Sequence, residues 1–257
     1  MKRIITLGRA CRPTYQARLF SSKNGLEIVS TPFDWTVTPY LSIARILDDD
    51  FSPLKVLDPC TSFVTPNSGS ITCGYSGINF HHDLSPKIVK HYHSSHDPPV
   101  AIVPASIIDS PEWQNAKGRF EHTFSNFSDS IRKSGNLFVR WRRKCHAGDA
   151  YSQAETDWGI CRLLQRKKGV SQDFRLLIIE THQINTSQPI VEPLQVKSCD
   201  DVVLCCKLKE RKGHNGDLTG SWKGDESSWD ICFRYAQKVL FESSWEFDAK
   251  QDKATCQ

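Results

Sequence analysis

The stretch Arg3-Ile4-Ile5-Thr6-Leu7-Gly8-Arg9-Ala10-Cys11-Arg12-Pro13, continuing to Phe20, decides how this chain is read. Residues 3–7 are a short apolar run ended by Gly8, the pattern of a buried strand. Pro13 suits the first turn of a helix, and Tyr15, Leu19 and Phe20 continue that helix's apolar spacing. A strand, a tight turn and a helix in that order form the first half of a βα unit. The same alternation recurs later. LFVRW (137–141), FRLLIIE (174–180) and VVLCCKL (202–208) are further strands of buried type. Helical stripes run through Phe120, Phe124, Phe127 and Ile131 up to Gly135, and from Tyr151 through Cys161 toward Gly169. The strongest stripe runs from Trp229 to Leu240. Strands alternating with helices predict an α/β fold, a mostly parallel sheet with helices on both faces.

Between these units the pattern loosens. TPFDW (31–35) reads as a loop punctuated by Pro32, and residues 39–49 as a helix carrying Tyr40, Leu41, Ala44 and Leu47. Residues 52–70 are rich in Pro, Ser and Thr, and ITCGYSGINF (71–80) reads as two short strands about Gly74 and Gly77. The region around residues 52–110 is expected to be an irregular insertion across one sheet edge. No linker divides the chain, so residues 1–257 are expected to form one domain.

Composition narrows the function classes. The chain has 257 residues, 39% of them hydrophobic, with 33 basic and 29 acidic side chains for a net charge of +4. That balance gives no reason to expect nucleic acid as a partner. No apolar run reaches the ~18 residues of a membrane span, so no membrane partner is expected. The ten cysteines lack any CxxC spacing. They read as free thiols in a reducing compartment, which predicts a cytoplasmic protein. MKRIITLGRAC offers too short an apolar stretch for a secretory signal and reads as the strand that begins the fold.

Cys11 stands apart from the other nine cysteines. It sits after a strand, at a helix mouth, between Arg9 and Arg12. The helix dipole and the flanking charge both favour a thiolate there. A small residue tolerated in a tight βα turn would occupy the same place. A thiol nucleophile needs an imidazole to take its proton, and His82 sits at the end of a strand predicted within residues 71–80. Asp83 adjoins it, although neighbours on a strand point to opposite faces. Asp34, in a loop, is the alternative group to orient the imidazole. His214, in the Gly-rich segment 213–230, is a second candidate base, with Trp222 as a pocket wall. Asp225 or Ser227 would cap the following helix, Asp225 being the preferred cap. Arg140 could hold an anionic group, and Arg12 and Trp35 border the same region.

The histidines at 81, 82, 91, 93 and 96, with Asp83, raise a metal site as a rival. Their spacing fits no HExxH or finger pattern, and no metal or other cofactor is expected. Gly8 to Pro13 lacks the glycines of a phosphate-binding loop.

TLGRACRPTYQARLF (6–20), PFDW (32–35), NFHHD (79–83) and LFVR (137–140) together resemble an uncharacterised bacterial family described as papain-like cysteine peptidases. The matching motifs cover roughly the N-terminal half. The resemblance implies that Cys11 is the nucleophile and that His82 and Asp83 are a histidine–aspartate pair. It also implies that Asp34 and Trp35 form the acidic-aromatic signature and that Arg140 is the strand-end arginine. Arg9-Ala10 stand where the family has Glu-Asn, and the doubly wound pattern differs from a papain-like α+β arrangement. The function expected is a cysteine-dependent hydrolase acting on a peptide or small carbonyl substrate. An α/β glycan- or nucleotide-handling transferase with a structural Cys11, or a non-catalytic binding module, is the alternative.

Overall fold

A computed structural model describes residues 1–8, 10–48, 62–64, 70–80, 82, 84, 101–102, 108–143, 159–183, 190–193, 203–210 and 223–242. The main sheet contains β1 (Arg3–Thr6), β2 (Glu27–Val29), β7 (Asn136–Arg143), β8 (Phe174–Gln183), β9 (Ile190–Pro193) and β10 (Val203–Glu210). Their order is β2-β1-β7-β8-β10-β9. Every pairing is parallel except β9 on β10, which is antiparallel. The helices are α1 (Cys11–Asn24), α2 (Tyr40–Asp48), α3 (Pro111–Ile131), α4 (Gly159–Arg166) and α5 (Glu226–Phe241). The α/β architecture expected from the alternation is the one observed.

Both faces of the sheet are covered, and the strands show how. Ile4, Leu137, Val139, Leu177, Ile179, Leu204 and Cys206 point to one side, where they meet Ala17 and Phe20 of α1 and Trp229, Phe233 and Ala236 of α5. Ile5, Phe138, Leu176, Ile178 and Cys205 point to the other, against α2, α3 and α4. Alternate residues thus fill two separate cores, which is why these strands read as continuous apolar runs rather than alternating ones. Phe20 stacks on Phe233 at 5.0 Å between ring centroids, locking α1 to α5.

Local signals explain the helix ends. Ser110 accepts a hydrogen bond from the Trp113 N–H, with Pro111 in the first turn of α3. Asp225 does the same for Ser228 N–H at the start of α5. Gly25, at φ 62°, closes α1 by donating its N–H to Ser21 O.

The insertion is less irregular than its composition suggests. It carries a second, antiparallel sheet of β3 (Ser62–Val64), β4 (Ile71–Cys73), β5 (Asn79–Phe80) and β6 (Ala101–Ile102), in the order β5-β4-β3-β6. Strands of two or three residues are too short to display a period of two. Phe80 anchors this sheet to α3 through an edge contact with Phe120, centroids 4.9 Å apart. Residues 151–158, expected to begin α4, lie outside the described residues. Among those described, no helix is long and apolar enough to cross a membrane.

Candidate active site

Numbered among themselves, the parallel strands run 2-1-3-4-5, so the chain leaves β1 to one side through β2 and later to the other through β7. The crevice beyond the carboxyl ends of such neighbouring strands is where open α/β sheets bind ligands. Three loops meet here: the β1–α1 turn, the segment after β2, and the residues after β5.

The β1–α1 turn is shaped by Gly8, whose φ of 71° lies in the left-handed region. A Cβ at this position would come within 2.9 Å of Thr38 Cβ and Oγ1 and 3.1 Å of Phe33 Cβ. Glycine therefore lets the segment after β2 lie directly on the end of β1. Arg140 fixes the same junction. It is fully buried, and its Nη1 donates to Leu7 O at 2.8 Å and Thr38 O at 3.0 Å. The turn delivers Cys11 to the first position of α1, after an extended Ala10 that has no side chain to cap the helix. The Cys11 sulfur thus sits at the positive end of the helix dipole beside N–H groups left without intrahelical partners.

The segment after β2 is built around Asp34. Asp34 N–H donates to Thr31 O at 3.1 Å, closing a β-turn with Pro32 at its second position. The carboxylate points inward. Thr6 Oγ1 donates to Oδ1, as do Thr14 Oγ1 at 3.0 Å and Thr31 Oγ1 at 3.1 Å. Thr31 N–H donates to Oδ2 at 3.1 Å, and Arg18 Nη2 lies 3.5 Å from that oxygen. Burial pushes the Asp34 carboxyl above the usual range, opposed by these hydrogen bonds and by Arg18. Asp34 is thus the knot that ties β1, α1 and the turn together.

Trp35 follows at φ 61°, a positive value that is uncommon for a bulky side chain. Two residues on, Val37 exchanges backbone hydrogen bonds with Asn79, each 3.0 Å. This short bridge joins the Trp35 segment to β5, the strand that leads into His82. The exposed His82 ring stands edge-on to the Trp35 ring at 6.3 Å and 89°. Its Nε2 is 3.0 Å from Cys11 Sγ. A separation of that size is a direct thiol–imidazole hydrogen bond, the contact a general base needs. The second sheet therefore acts as the bracket that carries an imidazole from residue 82 to a sulfur at residue 11.

The residues singled out from the sequence fall into three groups. Cys11, His82 and Trp35 come together. Asp34 lies beside them, but its contacts among the described residues are with Thr6, Thr14, Thr31 and Arg18. Its geometry is that of a loop anchor, which corrects the expectation that it orients His82. Arg140 is fully buried, and its Nη1 ties the end of β1 to the segment after β2 through Leu7 O and Thr38 O. Arg12 reaches along β7 instead, its guanidinium 5.0 Å from the Trp141 ring centroid. Asp83, His214 and Trp222 lie outside the described residues, as do the histidines at 81, 91, 93 and 96.

Sequence reasoning passed over Thr6, Thr14, Thr31 and Arg18. A signal existed for two of them. Thr14 and Arg18 follow Cys11 by three and seven residues, which places all three on one face of α1.

No family model, curated protein or solved structure matches this chain.

Proposed function

We propose that this protein is a cysteine-dependent hydrolase of amides, esters or thioesters, peptides being the substrates that the motif resemblance implies. The observation that carries the reading is the 3.0 Å contact between Cys11 Sγ and His82 Nε2 at the N-terminus of α1. Its position at the strand-order reversal supports it further.

The chemistry follows from these groups. His82 Nε2 takes the Cys11 S–H proton, and the thiolate adds to the substrate carbonyl carbon. The carbonyl electrons move onto oxygen, which the backbone N–H groups around Cys11 and Arg12 stabilise. The C=O bond then re-forms and the bond to the leaving group breaks. The leaving group takes the proton from His82, and the acyl group stays on Cys11 as a thioester. Water, deprotonated by His82, adds to that thioester. Collapse of the second adduct releases the acid and returns the sulfur, reprotonated, to its starting state.

Alkylation by iodoacetamide tests the nucleophile. Between pH 6 and 7, Cys11 is expected to react at least about tenfold faster than a peptide thiol, whose pKa of about 8.5 leaves little thiolate there. His82→Ala is expected to remove most of that advantage. A Cys11 that reacts at the peptide rate overturns the proposal.

A further inference from the structure

A half-open cavity of about 130 Å3 lies beside Trp35, bounded by α1, the segment 30–35 and α3. Its wall includes Arg18, Ser30, Asp34, Trp35, Arg119 and Thr123. Two guanidinium groups from different helices thus face one space, a composition suited to binding an anion. The hydrogen bonds of Arg18 use Nη2 alone, toward Ser30 Oγ at 3.3 Å. Its Nε is buried without an acceptor among the described residues. Asp34, also in the wall, has its Oδ2 3.5 Å from Arg18 Nη2, so those two charges offset one another and Arg119 supplies the net positive charge of the cavity.

The cavity is also placed in line with the reacting sulfur. Arg18 follows Cys11 by two turns of α1, a rise of about 10 Å with an angular offset of only about 20°. Trp35 belongs to both places, since its ring meets His82 and lines the cavity.

We propose that the cavity between Arg18 and Arg119 is an anion subsite that holds a carboxylate or phosphate group of the substrate about 10 Å from the carbonyl attacked by Cys11. The proposal rests on the reading of Cys11 as the attacking atom. It narrows the substrates to acyl compounds bearing an anionic group several bonds from the scissile carbonyl. Trp35 forms the wall between the two ends of such a molecule.

The experiment uses thiol probes of matched length. Iodoacetamidohexanoate places its carboxylate about 10 Å from the reacting carbon when extended. Its amide and its phosphonate counterpart have the same length with a neutral and a different anionic tail. Rates of Cys11 alkylation are each expressed relative to iodoacetamide on the same variant. The carboxylate or the phosphonate is expected to react about tenfold faster than the amide, and whichever does identifies the anion. Arg18→Gln and Arg119→Gln are each expected to lose most of that preference. Lys117→Gln, which removes the same charge from α3 outside the cavity, is expected to keep it. Equal relative rates for charged and neutral tails overturn the subsite, as does a preference that survives both arginine substitutions. Failure of the catalytic reading has a different signature, a slow iodoacetamide rate, and the tail preference is a ratio that can be read regardless.

Discussion

Asp34 holds a largely buried carboxyl group, and four donor contacts from three threonines converge on it. Asparagine at this position would turn one acceptor oxygen into an NH2 donor facing those hydroxyls. Asp34→Asn is therefore expected to cost about 1–3 kcal/mol in urea denaturation at neutral pH. The pH dependence has a definite sign. The folded-state pKa of Asp34 is raised by burial, so its contribution to stability is full below the unfolded value of about 3.9 and declines as pH rises through the folded one. Stability measured from pH 3 upward is expected to fall by this component in the native protein and not in the asparagine variant. A native-minus-variant difference that grows with pH would contradict the assignment. Arg140 is a parallel case: a charge that sequence places at an exposed strand end is drawn inside because Leu7 O and Thr38 O need a donor there. Which loop carbonyls meet at a strand end is a tertiary fact that single residues do not announce.

At the scale of elements, the long buried strands and the helices are legible because they repeat their pattern. Four-residue β1 and the strands β7, β8 and β10 are apolar on both faces, and α3 and α5 carry three or more apolar turns. The short strands β2, β3, β6 and β9 are not legible, because two to four residues show no period. The bracket that presents His82 was legible as two short strands within 71–80, whereas its pairing with Val37 was not, since that joins residues 42 positions apart. Gly8 is the sensitive point of this assembly. Gly8→Ala adds a Cβ at 2.9 Å from Thr38 and forces an L side chain to φ 71°. The left-handed conformation costs about 1–2 kcal/mol and the overlap about 1–3 kcal/mol more. The variant is expected to unfold at a correspondingly lower urea midpoint and to lose the enhanced alkylation of Cys11. Unchanged stability would show that the loop does not rest on β1 as described.

Across the whole molecule, the sheet's two faces have different tasks. α1 and α5 close one face with the aromatic packing of Phe20 and Phe233 and hold the α1 axis. The opposite face carries α2, α3, α4 and the second sheet, and from it come Arg119 of the cavity and the support for His82 through Phe80 on Phe120. The sulfur and the imidazole thus arrive from opposite sides and meet at the strand-order reversal. That meeting could be anticipated for Cys11, which lies inside the βα unit, whereas the partner's route through the insertion had no local pattern to reveal it.

Under the proposed chemistry, this meeting makes Cys11 an acylated intermediate. Mixing excess p-nitrophenyl acetate with the protein in a stopped-flow instrument, then locating the acetyl group by peptide mass spectrometry, tests it most directly. A burst of p-nitrophenol equivalent to the protein present is expected, with acetylation at Cys11. Also expected are loss of the burst in Cys11→Ala and a burst at least about a hundredfold slower in His82→Ala, the contribution expected of a general base. Acetylation of Cys11 no faster than that of a peptide thiol, or a burst carried by another cysteine, would contradict that chemistry.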